Sequence, residues 1–132
     1  MGRSKQMLPV GNTSLLRHTV GEALRANATD VLVVLGSNAD QHRDSIADMQ
    51  VVTVVIDKWA KGMGASLKAG LKQLLSQSTP DAVIVSVCDQ PLISAGIFNS
   101  LTELHFQQHA AVVASEYDGT KGVPVLFSSE YF

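Results

Sequence analysis

The run Ala-Val-Ile-Val-Ser-Val-Cys-Asp-Gln-Pro-Leu at residues 82–92 constrains this chain more than any other stretch. Its first six residues are apolar but for one serine. That is the pattern of an interior parallel strand, covered on both faces by helices. A lone carboxylate, Asp89, and a chain-turning Pro91 follow at once. In open α/β sheets, ligands gather just beyond the carboxyl ends of such strands. An aspartate there can hold a divalent cation that in turn carries phosphate oxygens. The plainer alternative makes Asp89 a loop carboxylate that caps the turn set by Pro91.

Two more runs of the same type occur upstream, residues 31–35 closed by Gly36 and residues 51–56 ended by Asp57. Ahead of the first of these the periodicity is helical. From Thr13, residues Leu16, Val20, Ala23 and Leu24 share one face, with Arg17, Glu22 and Arg25 opposite. Asn12, Thr13 or Ser14 can cap that helix. Gly36-Ser37-Asn38 turns the chain into a short polar helix over residues 41–48. A later helix carries Leu67, Leu71, Leu74 and Leu75 as one stripe, with Lys68 and Lys72 exposed. Ser94 caps another, with Ile97, Leu101 and Leu104 inward. Residues 111–115 and 123–127 read as two last strands around a Gly119/Gly122 turn region, and residues 1–12 as a polar loop that contains Lys5. Strand and helix alternate four times, which predicts an α/β fold with a mostly parallel sheet, three layers deep. At 132 residues the chain has enough length for one domain, residues 1–132, and too little for two.

Composition narrows the function classes. Hydrophobic residues make up 45% and charged ones 17%, which places the chain among globular proteins rather than disordered ones. The net charge of -2 gives no basic field for nucleic acid or a membrane surface, while leaving room for a small phosphorylated ligand. No apolar run approaches a membrane span. Cys88 is the single cysteine, so no internal disulfide forms, and a reducing, cytoplasmic location is expected.

Three polar features fall at the predicted ligand edge: Gly36-Ser37-Asn38, Asp57 with the loop after it, and Asp89. The loop Gly62-Met63-Gly64-Ala65-Ser66 precedes a helix. There, glycines let backbone N–H groups approach an anion or a base carbonyl closely. Leu67 stands where a third glycine would, so this is neither the dinucleotide fingerprint nor a Walker loop, and an ordinary glycine turn is the competing reading. His105 and His109 are spaced for zinc but lack the motif glutamate and a third ligand. His18 and His42 read as surface residues, and Cys88 as a small packed thiol. Trp59 is either a loop anchor or a lid over a ligand.

Five segments together resemble the nucleotidyltransferases that complete molybdenum cofactors, above all the molybdopterin cytidylyltransferase family. They are Met-Gly-Arg-Ser-Lys-Gln-Met-Leu-Pro-Val, Leu-Leu-Arg-His-Thr-Val, Trp-Ala-Lys-Gly-Met-Gly-Ala-Ser-Leu-Lys-Ala-Gly-Leu, Cys-Asp-Gln-Pro-Leu and Gly-Val-Pro-Val-Leu-Phe, in that order. The resemblance implies a Rossmann-like nucleotidyltransferase fold that moves CMP from CTP to the terminal phosphate of molybdopterin, releasing pyrophosphate with Mg²⁺. It implies that Lys5 contacts the nucleotide phosphates and that Asp89 holds the metal. Gly62, Gly64 and Ser66 match the loop beside the cytosine, and Asp57 a position near the nucleoside. Sister enzymes transfer GMP, so GTP is the alternative donor. A non-catalytic nucleotide- or cofactor-binding remnant, delivering to a molybdenum enzyme or its chaperone, is the alternative class. The family's opening strand with its glycine-rich loop, and a Gly-Asp-x-Gly-Ala-Arg segment after the last strand, have no counterpart here. The resemblance therefore implies a truncated form with weak catalysis, in which two strands lose the partner that would lie between them.

Overall fold

The computed structural model describes residues 7–56, 62–88, 90, 93–117 and 119–132. Strands β1 (Pro9–Val10) and β2 (Thr13–Ser14) form a small antiparallel hairpin. It is followed by α1 (Leu15–Arg25), β3 (Leu32–Leu35), α2 (Ala39–Ser45) and β4 (Val52–Val55). After these come α3 (Met63–Gln77), β5 (Ala82–Val85), α4 (Ala95–Gln108), β6 (Val112–Tyr117) and β7 (Thr120–Ser128), and a 3-10 turn over Ser129–Tyr131.

The hairpin replaces part of the expected polar loop. Gly11 adopts φ 59°, which lets Gly11-Asn12 serve as a two-residue connection. The Leu15 N–H donates to the Leu8 carbonyl at 2.8 Å and carries the chain straight into α1. Of the three expected caps, Ser14 is used: its hydroxyl accepts from the Arg17 N–H at 3.2 Å. Arg17 then forks onto Asp48 at 2.6 and 3.1 Å and donates to the Ser45 carbonyl at 2.6 Å, pinning α1 to the end of α2. That hydrogen bonding holds the Asp48 carboxyl below its ordinary range.

The α/β fold stands, with one correction to its sheet. Strands β3 and β4 pair in parallel, from Leu32↔Val52 to Leu35↔Val55. The remaining strands are antiparallel neighbours in the order β5-β7-β6. The reason lies in connection length. Helix α4 provides the crossover that makes β5 and β6 run the same way. The two residues between β6 and β7 allow only a hairpin, so β7 returns antiparallel and lies between them. Gly119, at φ 81°, supplies the left-handed turn. The register slips between Ala114 and Ser115, and the Ser115 hydroxyl donates to the Pro124 carbonyl at 2.7 Å across the irregularity. Among the described residues the β3-β4 and β5-β7-β6 sheets share no ladder.

Each sheet has its own core. Val33 and Leu35 on one face of β3 pack with Leu16, Val20 and Ile46. On the other face α3 crosses at Gly70, whose Cα approaches the Val34 and Leu32 side chains. Close approach through a glycine goes with a leucine stripe that is covered only in part, Leu71 and Leu74 being half-buried. Gly70 is buried, while Leu67 and Leu75 are 42% and 40% exposed. In the second core Leu101 packs with Val113 and Leu126, and Ala82 and Ile84 join from β5. Strand β5 is half-buried at all four residues, not fully covered on both faces. On α4, Phe98 and Leu101 are buried, and Leu104, expected inward, is exposed. No helix among the described residues is long and apolar enough to cross a membrane.

Candidate functional site

Parallel pairing puts Leu35 beside Val55, so the loops that follow β3 and β4 leave one edge of that sheet together. The first, Gly36-Ser37-Asn38, enters α2 through Asn38 in the left-handed region at φ 57°. The second reaches α3 through Gly62, whose φ of 99° only glycine adopts freely. Gly62, at the N-cap of α3, has no side chain to cap it, and the helix's first turn carries no acidic residue. Its first backbone N–H groups are thus left for an acceptor from outside the helix. Gly64 is exposed, and a Cβ there would meet nothing within 4 Å. Ser66 is half-buried one turn into α3. Of the nucleotide-side candidates, Gly62, Gly64 and Ser66 therefore lie together at one helix start. Lys5 and Asp57, and Trp59 with them, lie outside the described residues.

Asp89 also lies outside the described residues, but its two chain neighbours are described. Cys88 packs against the core cluster of Leu16, Val20, Val33, Leu35 and Ile46, which brings the chain just beyond β5 against the core of the β3-β4 sheet. The packed-thiol reading of Cys88 fits that position. Gln90 follows, and its Oε1 is buried with no hydrogen-bond partner among the described residues. The Gln90 carbonyl accepts from the Ile93 N–H at 3.2 Å, closing the turn that Pro91 predicts.

Helix α1 holds that segment. The His18 Nε2–H donates to the Ile93 carbonyl at 3.2 Å. Glu22 accepts from the Ala95 N–H at 3.2 Å while pairing with Arg25 on its own helix. The Asn27 N–H donates to Asn99 Oδ1 at 2.8 Å. His18 and Glu22 are thus interior contacts rather than members of a solvated face. His42 is a second correction: it is 5% exposed, and burial pushes its imidazole below the ordinary range. Sequence reasoning missed both histidines because one polar residue inside a helical pattern has no periodic signature. The zinc reading of His105 and His109 stays set aside. His105 Nδ1–H donates to the Ala110 carbonyl at 2.7 Å and His109 ends α4 in the left-handed region. Among the described residues no group of three or more metal-ligating side chains forms.

Known proteins resemble this chain at every level compared. The family model described as MobA-like NTP transferase domain matches residues 1–132. A curated relative, the bifunctional protein GlmU of Limosilactobacillus fermentum, is 29% identical over 108 residues, covering 82% of this chain and 23% of that protein. The crystal structure of Rv0371c from Mycobacterium tuberculosis superposes with a TM-score of 0.81 at 24% identity, over 100% of this chain and 66% of that one. The same protein is also known in complex with manganese, at 23% identity and a TM-score of 0.76 over 96% of this chain and 66% of that one. A nucleotidyl transferase from Methanothermobacter aligns with a TM-score of 0.77 at 21% identity, over 96% of this chain and 60% of that one. The chain thus spans about a quarter of the length of the curated relative and two thirds or less of these structures.

Proposed function

Because the chain belongs to the MobA-like NTP transferase domain family, we propose that it is a nucleotidyltransferase site. In this reading CMP passes from CTP to the terminal phosphate of molybdopterin. An anionic phosphate oxygen of the acceptor attacks the α-phosphorus. The bond to the β-phosphate oxygen breaks, and pyrophosphate leaves with the electron pair. The attacking group is already anionic, so no side chain has to remove a proton. The observation that carries the reading is the start of α3, entered through Gly62 at φ 99° with Gly64 exposed beside it and no acidic residue in its first turn.

Each residue then has a task. Backbone donors at Gly62 and Gly64, with Ser66, orient the base, and Asp57 is assigned to the nucleoside. Lys5 neutralises triphosphate charge, which is the dominant need of phosphoryl-type transfer. Asp89 holds the metal. The donors next to one another in the chain are oxygens, the Asp89 carboxylate and the Gln90 side-chain oxygen that is buried with no partner among the described residues, and oxygen donors suit a hard divalent ion. When bound, such an ion supplies charge neutralisation at the phosphates. Manganese in the Rv0371c complex supports a divalent requirement, with Mg²⁺ as the proposed ion.

The test is a thermal-shift titration with CTP, GTP, UTP and ATP, each with Mg²⁺ or Mn²⁺, followed by pyrophosphate release with molybdopterin. Metal-dependent stabilisation strongest for CTP, and lost in Asp89→Asn, is expected. Stabilisation by GTP above CTP would move the assignment to GMP transfer. No metal-dependent shift with any nucleotide would overturn the reading. Ser66→Ala should weaken CTP affinity, and an unchanged affinity would remove Ser66 from the base side.

A further inference from the structure

We propose that the open face of the β5-β7-β6 sheet receives helix α3 of a second copy of this chain, with a two-fold axis making the exchange mutual. The strand register fixes which residues form that face. Ile84, Leu126 and Val113 stand abreast, and α4 packs on them through Leu101. The row on one side of them is Val83, Phe127 and Val112, and the row on the other is Val85, Val125 and Ala114. Side chains alternate between the faces of a sheet, so these six belong to the face turned away from α4. Antiparallel sheets with one solvated face carry polar residues there, whereas this face is apolar throughout both rows. Val112 is 41% exposed, Ala114 is exposed and the other four are half-buried. Among the described residues α4 is the helix packed on this sheet. The 3-10 turn reaches one end of the open face, where the Tyr131 ring stands edge-on to Phe127 at 6.2 Å between centroids. A contiguous apolar face of this kind marks an interaction surface.

The chain itself carries a fitting occupant. Helices α1 and α4 stand in one layer, because α1 packs on the Val33 and Leu35 face of its sheet while His18 and Glu22 bond to Ile93 and Ala95. Helix α3 crosses the opposite face of β3-β4 at Gly70, so it lies on the same side of the molecule as the open face. That side is a ridge beside a recess, one sheet covered by a helix and the other bare. The leucines of α3 are covered only in part, with Leu67 and Leu75 exposed. The chain thus has a sheet face without a helix and a helix flank without a sheet, and an isologous contact brings each onto the other. Charge agrees with this pairing. Lys68 and Lys72, both exposed, are the charged residues of α3. Asp81 and Glu116, also exposed, stand at the two ends of the open face, with Glu130 in the turn after β7 and Lys121 opposite Glu116. A positive ridge therefore meets a rim of net negative charge. One helix laid on one sheet is a small interface, and the two-fold doubles it toward the roughly 1,200–2,000 Å² of a stable complex.

The experiment is sedimentation velocity of the whole chain over a concentration series, with circular dichroism melts alongside. A concentration-dependent shift from 14.1 kDa to twice that mass is expected. Lys68→Glu with Lys72→Glu should weaken the dimer by about ten-fold or more, and so should Asp81→Lys with Glu116→Lys, because like charges then meet at both contacts. An equimolar mixture of the two variants should recover the dimer, since each sheet face again meets an α3 of opposite sign. Phe106→Glu, at an exposed position of α4 in the other layer, should dimerise like the parent. A single species of one-chain mass up to about 200 µM, a concentration that still populates weak complexes, would overturn the inference. Parent-like dimers in both charge variants, or well-folded variants that do not recover on mixing, would overturn it as well. Should a charge variant fail to fold, Leu67→Ala with Leu75→Ala takes its place: a weakened dimer supports the exchange, and parent-like association refutes it.

Discussion

Replacing Gly70 by alanine tests how α3 meets the β3-β4 sheet. An ideal Cβ at this position would lie 2.6 Å from Val34 Cγ2 and 3.5 Å from Leu32 Cδ2. The first distance is well inside contact, and the atom it meets belongs to a β-branched side chain with few rotamers to retreat into. Either α3 lifts or Val34 turns off its rotamer, and such overpacking costs about 1–3 kcal/mol. Removing a glycine from a helix interior returns roughly 0.5–1 kcal/mol. At so short a distance the overpacking falls in the upper half of its range, about 2–3 kcal/mol, so the net loss is about 1–2.5 kcal/mol, or roughly 3–10 °C in Tm for a chain of this size. Urea and thermal melts followed by circular dichroism measure it. Gly64→Ala is the comparison: the same exchange in the same helix, with nothing within 4 Å, should leave stability unchanged or raise it. Gly70→Ala made in a Val34→Ala background should become neutral, since the methyl it meets is gone. Stability of Gly70→Ala equal to the parent, or strict additivity in that double-mutant cycle, would refute the packing argument.

The buried His42 predicts a pH dependence. Burial pushes its pKa down from an ordinary 6.5, so the unfolded chain binds more protons than the folded one. Its contribution is complete above about 6.5 and declines as the pH falls toward the folded pKa. Melts between pH 7.5 and 5.5 should show falling stability, flatter in His42→Gln, and equal slopes would remove His42 as the cause. Ser94→Ala deletes the cap of α4 and should cost about 1 kcal/mol in urea melts, with a loss near zero showing that the cap is redundant.

Strands and helices were legible where one physical signal dominated. The β-branched runs around Val33, Val54 and Ile84 reported strands, and Ser94 reported the start of α4, because burial and capping are local in sequence. Strand direction was not local. Whether β7 runs with or against β5 depends on where a hairpin is inserted, and the apolar pattern of residues 123–127 is the same either way. The first hairpin carried a readable signal in Gly11-Asn12 between Val10 and Thr13, which the polar residues around it masked. Leucine periodicity located the covered side of α3 only in part, at Leu71 and Leu74, because spacing reports which residues share a face. It does not report which face approaches most closely, and at Gly70 the smallest residue does. For the site, the glycine loop was visible because φ above zero demands glycine at Gly62. The bonds from His18 and Glu22 reach across seventy residues of chain and leave no mark in sequence spacing.

These long-range bonds also bear on how the halves of the site are kept in register. The glycine loop belongs to the β3-β4 sheet and Asp89 to the chain beyond β5. Among the described residues no strand ladder joins the two sheets. What does join them is helix packing: α1 lies in the first core through Leu16 and Val20, its His18 and Glu22 side chains meet Ile93 and Ala95, and the Asn27 N–H just past its end meets Asn99. A ladder fixes neighbouring strands through evenly spaced bonds, whereas a helix contact fixes them through a few side chains. The described hydrogen bonds that tie the two sheets together are thus concentrated in α1, and loss of His18 or Glu22 acts on how α4 approaches α1 before it acts on either core.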